Sequence, residues 1–190
     1  MKQYPVNLKI DYSETSNKST ALIRLVLIIP IVIILALISS YAEALSLAIG
    51  LLIIFKEKYP KWWFDWNIGI AKFANRVVAY GLLMRDEYPS TDEDQAIHID
   101  MPYPDVKKDL NRWMPLVKWI LVIPHIIVLI FIFIAVVFCT VFAWFAILFT
   151  GRYPKGIFDF VEGFLRWSLR VNAYAFILTT DEYPPFRLGE

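Results

Sequence analysis

The residues that could do chemistry in this chain are few, and most lie in two short stretches. Asp159, Glu162, Arg166 and Arg170 form one group, and Asp65, Lys72 and Arg76 form another. On a helix, at about 100° per residue, the first group falls within an arc of roughly 80° and the second within a narrower one. Two carboxylates one turn apart, Asp159 and Glu162, are a minimal acid–base pair. Arg166, however, stands four residues after Glu162, a spacing that makes an ion pair instead. The two stripes together hold three acids and four bases. They are expected to lie buried or at an interface, where ionisable groups pair, and to face one another. There is no nucleophile elbow, no glycine-rich phosphate loop and no HExxH. One thiol, Cys139, and two distant histidines make no metal site. The residues therefore offer no catalytic, cofactor or metal site, and the expectation is that the protein is not an enzyme.

The elements that must carry these residues are unusually apolar. Hydrophobic residues make up 58% of the 190, well above a soluble average. Residues 119–149 hold no charged side chain, more than the roughly 20 residues a bilayer core requires. Residues 25–55 read the same way, despite Ser39, Ser40, Glu43 and Ser46. Neither run has a polar face, so neither is a core helix of a water-soluble protein. Nineteen bases against eighteen acids leave no global field, and nucleic acid is not an expected partner.

Shifted by 94 residues, the sequence falls onto itself. Pro30 meets Pro124, Tyr59-Pro60-Lys61 meets Tyr153-Pro154-Lys155, Phe64-Asp65 meets Phe158-Asp159, and Arg76 meets Arg170. One further residue brings Asp86-Glu87-Tyr88-Pro89 onto Asp181-Glu182-Tyr183-Pro184. Unit 1 is residues 1–91, an acidic linker is 92–102, and unit 2 is 103–190. Each unit begins with alternating apolar residues, Val6, Leu8, Ile10 and Tyr12 or Ile97, Ile99 and Met101, which predicts short strands outside the membrane. A long apolar helix follows, kinked or broken near Pro30 or Pro124. A Tyr-Pro turn closes it, and a second helix runs over 64–84 or 158–178. The fold class is an all-α membrane protein of two tandem helical repeats with four main membrane-associated helices.

Both Tyr-Pro-Lys turns are basic. Lys58, Lys61, Arg152 and Lys155 are candidate headgroup contacts, as is His125 beside its proline, although a packed histidine is the plainer reading because unit 1 has Ile31 there. Trp62, Trp63, Trp66, Trp113 and Trp119 suggest an interfacial belt. Turns so alike belong on one side of the membrane, which requires an even number of crossings per unit. Four spans satisfy this and are preferred. Re-entrant long helices with the second helices on the surface satisfy it too. Either way the termini share a side, expected to be the cytoplasm.

Arg112-Trp113-Met114-Pro115, Ile123-Pro124-His125, Thr150-Gly151-Arg152-Tyr153-Pro154, Phe158-Asp159-Phe160, Arg166-Trp167-Ser168-Leu169-Arg170-Val171 and Asp181-Glu182-Tyr183-Pro184-Pro185-Phe186 carry a resemblance. With them, residues 112–186 resemble a family of bacterial membrane proteins defined only as a domain of unknown function. The first half is a looser copy, with Lys58 for Arg152 and Trp62 for Gly156. The resemblance implies a bacterial inner-membrane location and no particular activity. The leading expectation is a non-enzymatic integral membrane scaffold or accessory subunit, whose partners are the bilayer and another membrane protein or a second copy. The alternative is a small carrier or lipid-handling protein.

Overall fold

The computed structural model describes residues 4–189, except for the side chains of 41–44, so Glu43 lies outside the described side chains. The elements are β1 (Asn7–Ile10), α1 (Lys18–Lys56), α2 (Lys61–Gly81), β2 (Ile97–Asp100), the single turn α3 (Val106–Asp109), α4 (Met114–Leu121), α5 (Ile123–Thr150) and α6 (Lys155–Asn172). A π-helical turn, Ala173–Ile177, continues α6.

The ends of the long helices are set by local chemistry. Asn17 caps α1 by accepting the backbone N–H groups of Ser19 and Thr20. At the other end Glu57 turns left-handed, φ 49°, and Gly151 does the same for α5 at φ 73°. The N–H of each returns to a carbonyl of the last turn, Ile53 or Ile147. Pro60 and Pro154 then hold the extended backbone from which α2 and α6 start at the next residue. These helices therefore begin three residues earlier than the apolar pattern predicts. The expected interruption at proline occurs only in unit 2. Pro124 opens α5 after a break at Val122, where its missing N–H is no loss. Pro30 sits inside a continuous α1.

Each long helix packs on its own second helix, α1 on α2 and α4–α5 on α6. The long helices run antiparallel to each other. Near one end, Trp144 Nε1 donates to the Ala21 carbonyl at 3.1 Å. Near the other, Gly50 lies against Pro115, where an added Cβ would be 3.5 Å from the proline's own. The two contacts are equally spaced along both chains. The strands that the alternation predicts are present, and they pair antiparallel, with Leu8 opposite Ile99. The strands then exchange partners, for β1 of unit 1 lies on α6 and β2, inside the acidic linker, lies on α2. The repeats are thus related as a pseudo-two-fold pair with antiparallel long helices.

Polarity sorts the molecule into layers. A narrow inner stripe of α1, including Ala21, Arg24, Ile31, Ile49 and Ile53, is buried. Most of its remaining surface is exposed and apolar, from Leu22 to Phe55. The α4–α5 pair repeats this from Trp113 to Phe149. These two helices are long and apolar enough to cross a membrane, with mean hydropathy of 3.1 and 3.3 over their most apolar windows, of which only 17% and 11% is buried. The second helices occupy the middle. Their apolar faces meet the long helices, and Glu162, Arg166 and Arg170 of α6 turn to β1. Val6, Leu8 and Ile10 point inward from β1 and are buried, while Lys9, Asp11, His98 and Asp100 face out.

Candidate functional site

A strand advances about 6.6–6.8 Å in two residues and a helix about 6 Å in four. A strand laid along a helix can therefore match every second residue to every fourth. β1 does this on α6, running antiparallel to it. Tyr12 meets Phe158 edge-on at 5.0 Å, and the Ile10 N–H donates to Glu162 Oε1 at 2.7 Å. Arg166 Nε donates to the Leu8 carbonyl at 2.8 Å, and Arg170 Nε donates to the Val6 carbonyl at 3.3 Å. The second carboxylate oxygen of Glu162 pairs with Arg166 at 3.0 Å. The C-terminal tail closes the other side, where Arg166 and Arg170 donate to the Leu188 and Gly189 carbonyls. Gly163 permits that approach. A Cβ there would come 2.8 Å from the Leu188 side chain and 3.0 Å from its carbonyl oxygen.

The charged stripes consequently do not face one another. β1 roofs the α6 stripe and β2 lies on α2, and backbone carbonyls join the Glu162 carboxylate as partners of the arginines. Arg76 donates to the Ser90 carbonyl at 2.8 Å. Lys72 is half-buried. Asp65 and Asp159 are exposed and pair locally, with Lys61 at 2.9 Å and with Lys155.

The Tyr-Pro-Lys turns have a role that spacing alone did not disclose. Tyr12 donates its hydroxyl to the Tyr153 carbonyl at 2.6 Å, and Tyr103 donates to the Tyr59 carbonyl at 2.6 Å. Lys155 stands over the Tyr12 ring at 5.0 Å, and Lys61 over Tyr103 at 5.7 Å. Phe158 and Phe64 present their edges to the same two rings. Each turn is thus a socket for a tyrosine of the other unit. Burial pushes the Tyr59 and Tyr153 hydroxyls well above the usual tyrosine range, so they stay protonated. Tyr12→Phe and Tyr103→Phe should each cost about 1 kcal/mol, the net worth of one hydrogen bond. Thermal melts in detergent should show both losses, and nearly their sum in the double variant; no shift in either would show that the sockets do not hold the units together.

A second pair of equivalent sites was overlooked. Arg24 and Lys118 align under the same shift and are each 1% exposed. Arg24 pairs with Asp86, donates to the Arg85 carbonyl at 3.0 Å and stacks over Tyr80 at 4.6 Å. Lys118 pairs with Asp181 at 2.7 Å, donates to the Thr180 carbonyl at 2.7 Å and lies 5.0 Å from the Tyr174 ring centre. The other carboxylate oxygen of each aspartate accepts a backbone N–H where the long helical segment begins, Asn17 at 2.8 Å or Asn111. The Asp-Glu-Tyr-Pro motif thus latches the end of each second helix to the start of its long one. Asp86 is consequently the partly exposed partner of a buried arginine. The signal available was a lone base at matching positions of two apolar helices.

Of the expected headgroup contacts, Lys58, Lys61, Arg152 and Lys155 are exposed, but His125 is not. Its ring is fully buried, accepts Trp167 Nε1 at Nδ1 at 3.0 Å and stacks on Phe186 at 3.9 Å. His125 is thus packed, as the plainer reading has it, and is not a headgroup contact, because aromatic rings fill the site. Trp63 is likewise buried, donating to the Ile177 carbonyl, whereas Trp62 and Trp113 are exposed. Among the described residues no cluster of His, Cys, Asp or Glu could hold a metal.

No curated protein and no solved structure matches the chain. A family defined as a domain of unknown function, DUF4389, matches twice, over residues 18–91 and 112–187. Both matches take in a long helix, its socket and its latch, and both begin after the strand that reaches across. The chain therefore belongs to the DUF4389 family, as two tandem copies of its domain.

Proposed function

We propose that the protein is a non-enzymatic membrane scaffold seated in one leaflet of a bacterial inner membrane, with its sheet and termini in the cytoplasm. The observation that carries this reading is the strand lying along α6 from Phe158 to Arg170. Were α6 a span, β1 would enter the hydrocarbon with it, taking the exposed Lys9 and Asp11 and an unpaired strand edge into lipid. With α6 and α2 parallel to the surface, the sheet faces water and the long helices face acyl chains. Length supports the same placement. The exposed apolar surface of α1, from Leu22 to Phe55, extends about 50 Å, against a hydrocarbon core of about 30 Å. An upright helix would leave much of it in water.

This placement also puts both basic turns on one side although the long helices are antiparallel. Lys58, Lys61, Arg152 and Lys155, with the exposed Trp62 and Trp113, would then ring the molecule at the headgroup level. The sockets and latches make it a braced platform, suited to holding a second membrane protein or another copy. In a Cys139→Ala background, Lys61→Cys and Lys155→Cys should react with an impermeant maleimide from the same face of oriented vesicles. Labelling from opposite faces would refute the placement.

A further inference from the structure

Between the two end contacts of the long helices, a cavity of about 550 Å³ lies where the repeats meet. Ser39 of α1 and Phe133 of α5, equivalent under the repeat, stand on its long-helix side, and α2 and α6 form its walls. Among the described residues no charged side chain lines it. Its walls are nonetheless polar in places, with Asn67 and Asn75 on α2 and Ser168 and Asn172 on α6.

The hydrogen bonding of these four residues defines an occupant. Asn67 and Asn75 each commit one amide N–H to the Trp63 or Ala71 carbonyl, which leaves their side-chain oxygens as acceptors and one N–H apiece. Ser168 and Asn172 have no partner among the described residues and offer both donors and acceptors. A group that both donates and accepts, and carries no charge, satisfies both walls. A hydroxyl does so; a phosphate or an ammonium would be desolvated without a counter-charge. Phe133 is 49% exposed, so the cavity adjoins the apolar outer face. We infer that this cavity holds the hydroxyl head of an uncharged lipid, of the diacylglycerol class, with its chains passing Phe133 and Phe164 into the leaflet. The inference rests on the long helices facing acyl chains.

The test is retention of radiolabelled dioleoylglycerol by the purified full chain in detergent, against triolein, which lacks the hydroxyl, and dioleoyl phosphatidic acid, which adds charge. About one dioleoylglycerol per chain should be retained, with little of either control. Ser168→Ala, which changes almost no volume, should weaken retention about fivefold, the worth of one neutral hydrogen bond. Ala74→Leu, which fills the wall beside it, should abolish retention while leaving Tm nearly unchanged. Equal retention of triolein, preferential retention of phosphatidic acid, no retained lipid, or undiminished retention by Ser168→Ala would each overturn the assignment. The vesicle labelling at residues 61 and 155 is a separate readout, so failure of the one-leaflet placement is distinguishable from failure of the lipid site.

Discussion

Asp181→Ala should destabilise the protein by about 3 kcal/mol or more, because it leaves a buried ammonium without its counter-charge. Lys118 is 1% exposed, and without Asp181 it keeps only the Thr180 carbonyl and the Tyr174 ring. The same substitution removes the acceptor of the Asn111 N–H. Lys118→Met is the informative companion. It removes the charge and keeps the bulk, so the remaining aspartate can turn to solvent, and its loss should be clearly smaller. In unit 1, Asp86→Ala should cost less than Asp181→Ala. Arg24 retains the Arg85 and Tyr80 carbonyls and Thr20 Oγ1, and Asp86 is already a third exposed. Melting of the three variants in one detergent gives the order directly. Equal, small losses for Asp181→Ala and Lys118→Met would mean that the pair is not a latch.

Leu8→Ala should cost 2–5 kcal/mol, an effect not expected for a residue in a short polar segment ahead of a membrane helix. Leu8 is 0% exposed, and it lies on the strand whose carbonyls receive Arg166 and Arg170. A cavity there loosens the roof over two buried guanidinium groups as well as losing apolar contact. Ile99, its partner across the sheet, is only half-buried, so Ile99→Ala should cost noticeably less. Urea titration in mild detergent separates the two. Similar small losses would show that the strands are ornaments on a helical protein and do not brace it.

Much of this architecture was legible in the residues. Tyr-Pro-Lys, Phe-Asp and Asp-Glu-Tyr-Pro recur at a fixed shift, and period two at Val6, Leu8 and Ile10 marked a strand with one buried face. What the sequence did not disclose is which helix that strand covers. Periodicity reports the buried face of an element and says nothing of its partner, so the exchange between units and the antiparallel long helices were not visible. Arg24 and Lys118 were passed over because each stands alone among apolar neighbours, with its aspartate more than sixty positions away. The arginine stripes and the Glu162–Arg166 pair were legible, but the carbonyl oxygens that also receive the arginines are recorded by no side-chain pattern. A packed His125 was the plainer reading from Ile31 in unit 1, but Trp167 and Phe186, which enclose it, lie far along the chain and were not visible.

The most direct test of the one-leaflet placement is the depth of α1 along its length. Spin labels at Leu22, Leu37 and Phe55, in a Cys139→Ala protein reconstituted into bilayers, sample both ends and the middle of its exposed apolar surface. Relaxation by oxygen and by a polar nickel complex measures their depth. The account predicts similar depths for all three, on the cytoplasmic side of the midplane. A label at Leu37 near the midplane, with Leu22 and Phe55 approaching opposite headgroup layers, would contradict it.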